Sequence, residues 1–209
     1  EMAEFQKESD AFLKRMKEQG AKKEFSHIAS LFLGVLGFIV IIISIWIPEI
    51  MRLKLGSNYL IGDSFWPAEN VVYIVLIGYF FFGTYVIQLP GVYAREITIW
   101  IPVFRAIGAI SNISLNIILI PEYGVLGSAW ATAISFVFMS LSVFIKLFNI
   151  YYVKYNWKAI LYPILFMVII FFPLQSVLVR VFICFYYWGG WYFLAISKDE
   201  RKLIKGLFN

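Results

Sequence analysis

Cysteine and histidine are nearly absent. Cys184 is the single cysteine and His27 the single histidine in 209 residues. That excludes an internal disulfide and leaves a zinc site short of ligands unless carboxylates supply them. No Gly-rich phosphate loop, Ser/His/Asp arrangement or acid/base carboxylate pair can be drawn from the residues, so neither a catalytic residue nor a cofactor is expected. Charge is scarce as well: Asp, Glu, Lys and Arg make up 15% of the chain, against roughly 25% in a soluble domain. No signal peptide opens the sequence, which begins Glu1-Met2-Ala3-Glu4; a piece of a longer protein is expected.

What is abundant is apolar surface. Hydrophobic residues account for 61% of the chain and aromatics for 20%. A soluble domain of this size has too little interior to hide so much, whereas in a bilayer the solvent is itself apolar. The expected fold class is an all-α integral membrane protein, a bundle of about six transmembrane helices, each near the roughly 20 residues that cross the hydrocarbon. The spans predicted are Ile28 to Ile47, ended by Pro48; Val71 to Leu89, stopped by Pro90-Gly91; Ile99 to Ile120, ended by Pro121; and Val125 to Leu147. The apolar stretch from Ala159 to Ile196 is too long for one crossing and is split near Pro173-Leu-Gln-Ser176. Before the first span, Phe5, Phe12, Leu13 and Met16 recur at helical spacing among charges, so residues 1–24 read as an amphipathic helix on the membrane surface.

Six crossings place both termini on one side. Fourteen of the eighteen Lys and Arg residues then fall on that side, and Arg52, Lys54 and Arg180 on the other. Cytoplasmic loops carry the excess of cations, so both termini are expected in the cytoplasm. The net charge of +5 accordingly points to topology and anionic lipid; no nucleic-acid partner is expected.

The third span carries the most information. Arg105, Gly108, Asn112 and Asn116 are spaced by three, four and four and share a helix face. A cation at bilayer depth is costly, so such a face turns toward protein or water. One reading makes it the wall of a translocation cavity, with Arg105 pairing a phosphate through its planar fork of donors. The other has the asparagines bridging helices and Arg105 snorkelling to the interface. Gln88, near the cytoplasmic end of the second span, either lines an entrance or bonds between helices. Gly124, Gly127, Ser128, Ala129 and Ala131 form a small-residue run suited to close packing. Glu49 and Glu69 are either ion-coupling carboxylates or solvated loop charges, and His27 is an interfacial residue or a proton relay.

The run Ala109-Ile-Ser-Asn112-Ile-Ser-Leu-Asn116-Ile-Ile-Leu-Ile-Pro121-Glu-Tyr-Gly124-Val-Leu-Gly127-Ser-Ala129-Trp-Ala131-Thr132 resembles the Asn-x-x-x-Asn…Ile-Pro-x-Tyr-Gly-x-x-Gly-Ala-Ala-x-Ala-Thr stretch of polysaccharide flippases. These are lipid-linked oligosaccharide exporters of the superfamily that also holds multidrug and lipid II flippases. Gly91-Val-Tyr-Ala-Arg95 and Leu194-Ala-Ile-Ser-Lys-Asp-Glu200-Arg201-Lys202 resemble further stretches of the same family. Ser128 stands where the family commonly has Ala, and Arg105 falls in a segment that is mostly aliphatic there, so no role for Arg105 is inherited.

The resemblance implies the C-terminal part of a 12–14 helix, two-lobe transporter of the bacterial cytoplasmic (inner) membrane. Residues 1–24 would be a cytoplasmic amphipathic segment, 25–150 four helices of the C-terminal lobe, and 151–209 two extra helices and a cytoplasmic tail. It further implies flipping of undecaprenyl-pyrophosphate-linked oligosaccharide by alternating access. The implied partners are the lipid-linked oligosaccharide, the bilayer and an N-terminal lobe outside this sequence. The expected substrate-binding set is Arg105, Asn112, Asn116 and Gln88. Alternatives are an ion-coupled multidrug or other lipid exporter, a membrane glycosyltransferase or polymerase, and a membrane scaffold.

Overall fold

Hydrocarbon offers no water to backbone N–H and C=O groups, so an apolar chain must close its hydrogen bonds within helices. The computed structural model describes residues 10–11, 19–56, 58–172 and 176–206 and follows that rule. Helix α1 is Gln19–Met51. A two-residue hairpin, β1 (Lys54–Leu55) against β2 (Asn58–Tyr59), and a 3-10 turn, Asp63–Ala68, form the loop that follows. Then come α2 (Glu69–Val86), α3 (Leu89–Ala94) and α4 (Trp100–Ile150). Helix α5 (Trp157–Met167) is prolonged by a 3-10 turn, Val168–Phe171; α6 (Val177–Gly190) by a π turn, Trp191–Ala195; and α7 is Lys198–Gly206.

Helix α4 passes through the bundle twice. At Gly124 the backbone turns to φ 56° and ψ −132°, a conformation that glycine alone adopts without strain. The chain then doubles back, so that Asn112 in the first arm (residues 100–123) donates to Thr132 in the second (residues 125–150) at 3.3 Å. Four stretches are long and apolar enough to cross a membrane, α4 among them, and Trp157–Phe171 is a shorter apolar one. Counting α4 twice, the chain makes about six crossings.

The prolines sit differently from expectation. Pro48 lies inside α1; in a last turn its missing N–H removes one bond only, and Arg52 N still closes on Pro48 O at 3.2 Å. Helix α1 also starts at Gln19, not Ile28, so residues 19–27 extend the helix ahead of its apolar run. Helix α2 ends at Val86 rather than Leu89, and Pro90 opens the short α3, where a missing N–H has no intrahelical partner to lose. Pro121 does not end the third span; the break comes at Gly124. Phe5, Phe12, Leu13 and Met16 lie outside the described residues, as do Pro173, Leu174 and Gln175 at the predicted split, which helices ending at Phe171 and starting at Val177 bracket.

Small residues set the closest approach. Gly78 of α2 faces Ala133, whose Cα would lie 3.0 Å from any Cβ added there, and Ala129, Ala131 and Ala133 are buried. One core joins Tyr85, Val92, Phe104, Met139, Val143 and Leu147. A second joins α1 to α2, α5 and α6 through Leu33, Ile41, Phe80, Met167, Ile183 and Tyr187, with Tyr187 Oη donating to Gly34 O at 2.6 Å. On the outer side of the first arm, Ile110, Ile113, Ile117 and Ile118 are each more than 60% exposed. Such a continuous isoleucine face is unsustainable in water and suits lipid.

Candidate functional site

The polar residues of the α4 hairpin are held by one another. Asn116 Nδ2 donates to Asn112 Oδ1 at 3.0 Å, Asn112 Nδ2 donates to Thr132 Oγ1 at 3.3 Å, and Thr132 Oγ1 donates to Ser128 O at 3.0 Å. Both asparagines are half-buried, and Asn116 Oδ1 is buried without a hydrogen-bond partner. Gly108 lets the second arm close in, with Met139 packed against it. Arg105 lies seven residues before Asn112 and eleven before Asn116, within about 20° of both around the helix. Its side chain is exposed and meets no acidic partner among the described residues. The hairpin therefore presents a polar flank of one arginine above two asparagines, between the packed face and the isoleucine face.

Gln88 is elsewhere. It is buried at the start of α3, and its Nε2 donates to Thr84 O at 2.7 Å and to Ser140 Oγ at 3.0 Å. Its Oε1 has no hydrogen-bond partner. Gln88 thus ties α2 to the second arm and lines an apolar cavity of about 200 Å³ bounded by Leu33, Phe81, Leu141, Phe144 and Ile160. No residue of the first arm lines that cavity, so the structure brings Arg105, Asn112 and Asn116 to one flank and sets Gln88 apart.

The acidic candidates pair with arginine at one end of the bundle. Glu49 forms an ion pair with the buried Arg180, and Glu69 Oε2 lies 3.4 Å from Arg52. Arg180 also lies over the Trp46 ring, 5.6 Å from its centre.

Sequence reasoning missed Glu200, which it left in a polar tail. Glu200 is fully buried. Its Oε2 accepts from Asn156 Nδ2 at 2.9 Å and from Ser197 N at 2.5 Å, and His27 Nδ1 lies 3.5 Å from Oε1. Burial pushes this carboxyl up, but hydrogen bonds from Ser30, Ser197 and Asn156 outweigh it and hold the group below its ordinary value. A carboxylate with a depressed native pKa stabilises the fold above the unfolded value, about pH 4.3, and that stabilisation is lost as pH falls through the native value. Glu200→Gln is expected to cost about 1–3 kcal/mol at pH 7. Measured as thermal stability in detergent, its deficit should shrink as the pH falls below about 4.3; a deficit that does not change between pH 7 and acid would contradict this account.

No model of a known family matches the sequence, and no curated protein matches it. A solved structure of the lipid II flippase MurJ, in an inward closed conformation, superposes with a TM-score of 0.65 at 18% identity, over 94% of this chain and 43% of that protein. The chain shares its fold with part of that structure. It spans less than half the length of that relative. The hairpin with its Asn112–Asn116 ladder and the turn at Gly124 lie within the stretch whose residues resembled polysaccharide flippases, so sequence motif and fold point to the same architecture.

Proposed function

We propose that this chain is the C-terminal part of an alternating-access exporter that flips lipid-linked precursors across a bacterial cytoplasmic membrane, with undecaprenyl-pyrophosphate-linked oligosaccharide as cargo. Residues 25–150 belong to the second lobe, residues 151–206 supply two further helices and a tail, and both termini face the cytoplasm. The observation that carries the reading is the flippase fold over 94% of the chain. The polar flank of the first arm supports it: Arg105 is a phosphate-pairing cation near the cytoplasmic end of a membrane helix, where an anionic headgroup is first captured. In this reading the flank faces an N-terminal lobe that completes the cavity.

Cargo sign separates this reading from an ion-coupled drug exporter, which needs a free carboxylate within the membrane. Among the described residues, Glu49 and Glu69 are both engaged by arginines at helix ends. Complementation is the test. The intact protein is expected to restore surface polysaccharide to a strain lacking its flippase, and residues 1–209 alone to fail, because one lobe cannot alternate access. Restoration by residues 1–209 alone, or failure of the intact protein at normal abundance, would overturn the proposal.

A further inference from the structure

Where α1, the α4–α5 connection and α7 meet, the structure forms a second, larger pocket of about 820 Å³, open to the surface. Lys22, Lys23, Lys154 and Lys158 line it, with Asp199 and Glu200 the acidic members of its wall. Both acids are already engaged: Asp199 Oδ2 accepts from Lys23 Nζ at 2.7 Å, and Glu200 is buried among its own hydrogen bonds. Lys154 and Lys158 have no acidic partner among the described residues, and Lys22 stands over the Tyr151 ring, 4.6 Å from its centre. The cations are held in place by the backbone that carries them. Ser26 Oγ donates to Lys154 O at 2.9 Å, and Asn156 bridges to Ala195 O and Glu200. Unpaired lysines converging on one pinned cavity favour a phosphate-bearing anion.

Its position favours a lipid over a free anion. Lys22 and His27 lie just ahead of the apolar run of α1, and Trp157 opens α5, which is headgroup depth for both helices. Tyr155 and Trp157 line this basic pocket and the apolar one beside Gln88 alike, so a charged compartment and a hydrocarbon one share a wall at these two rings. A cavity of about 150 Å³ takes up benzene; the roughly 200 Å³ here therefore suits part of one acyl chain and is small for a long polyprenyl tail.

We propose that the two cavities together bind an anionic glycerophospholipid of the surrounding membrane, its phosphate held by Lys22, Lys154 and Lys158 and one acyl chain entering beside Trp157. The site is separate from the flank carrying Arg105, Asn112 and Asn116, none of which lines either cavity. The lipid fastens α1 to the α5–α7 segment at the membrane surface. This inference rests on the membrane-spanning fold and not on the transported cargo.

Native mass spectrometry of the intact, delipidated protein tests it by lipid titration. Phosphatidylglycerol is expected to bind at least about tenfold more tightly than phosphatidylcholine of the same chains. The triple substitution Lys22→Gln, Lys154→Gln, Lys158→Gln should lower phosphatidylglycerol affinity about 30-fold or more, and the matching Arg triple should keep it. Leu161→Trp, which fills the apolar cavity, should also weaken phosphatidylglycerol, and serves if the Gln triple fails to fold. Equal binding of the two lipids, or full affinity in the folded Gln triple or in Leu161→Trp, would overturn the site. So would displacement of phosphatidylglycerol by inorganic phosphate at equal concentration, which marks a free-anion site, or by undecaprenyl phosphate at lower concentration, which marks a cargo site.

Discussion

Replacing Gly127 with alanine is expected to destabilise the protein by about 3 kcal/mol, and with leucine by more. A Cβ at position 127 would collide with the carbonyl of Leu119, 2.6 Å from its carbon and 3.0 Å from Ile120 N. Those atoms belong to the backbone of the opposing arm, so no rotamer change relieves the clash, and the hairpin must open at the turn that Gly124 creates. Opening it separates Asn112 from Thr132 and withdraws the second arm from Gly78. Gly20→Ala is the internal control: nothing lies within 4 Å of a Cβ there, and in the first turn of α1 alanine is tolerated at little or no cost. Melting in mild detergent, followed by the monodisperse fraction, should show Gly127→Ala far below the parent and Gly20→Ala close to it. A Gly127→Ala protein as stable as the parent would mean that the two arms do not approach as described.

Arg105→Ala is expected to weaken capture of the lipid-linked precursor by about 10- to 150-fold. The figure follows from charge-assisted hydrogen bonds that contribute roughly 1.5–3 kcal/mol. Arg105→Lys should recover part of it, because an ammonium keeps the charge but not the bidentate fork. The side chain is exposed and makes no ion pair among the described residues, so the substitution should leave thermal stability within about 0.5 kcal/mol. Export of surface polysaccharide at matched membrane abundance is the readout. Normal export from Arg105→Ala would make Arg105 an interfacial anchor and remove it from the site.

The sequence and structure agree where the bilayer dictates the answer. Runs of about 20 apolar residues have few alternatives to a spanning helix, so every predicted span has a helix in the structure. Helix ends were less legible, because proline stops a helix only where its missing N–H breaks an interior bond. Pro48 falls in a last turn, Pro90 in a first, and Pro121 just ahead of a glycine that makes the reversal instead. The spacing of Asn112 and Asn116 announced a shared face, but not that they bond to each other and to Thr132 across a turn.

Glu200 was invisible for another reason. Its partners, Asn156 and His27, are 44 and more residues away in sequence, and Lys23 and Asp199 are 176 apart. No local pattern encodes those distant meetings; the one local signal is the Ser197-Lys-Asp-Glu200 capping box, in which Ser197 N donates to Glu200 and Glu200 N to Ser197 Oγ at 3.3 Å. The pairing of Glu49 with Arg180 was hidden in the same way, since it joins the end of α1 to the start of α6.

The central claim is that this chain works within a flippase for lipid-linked oligosaccharide. The most direct measurement reconstitutes the intact protein in liposomes with a fluorescent undecaprenyl-pyrophosphate oligosaccharide and follows its loss from the labelled leaflet by an impermeant quencher. Flipping well above protein-free liposomes, and reduced about tenfold or more by Arg105→Ala, is the result expected. Protein-free rates from a folded, stable preparation would contradict the account.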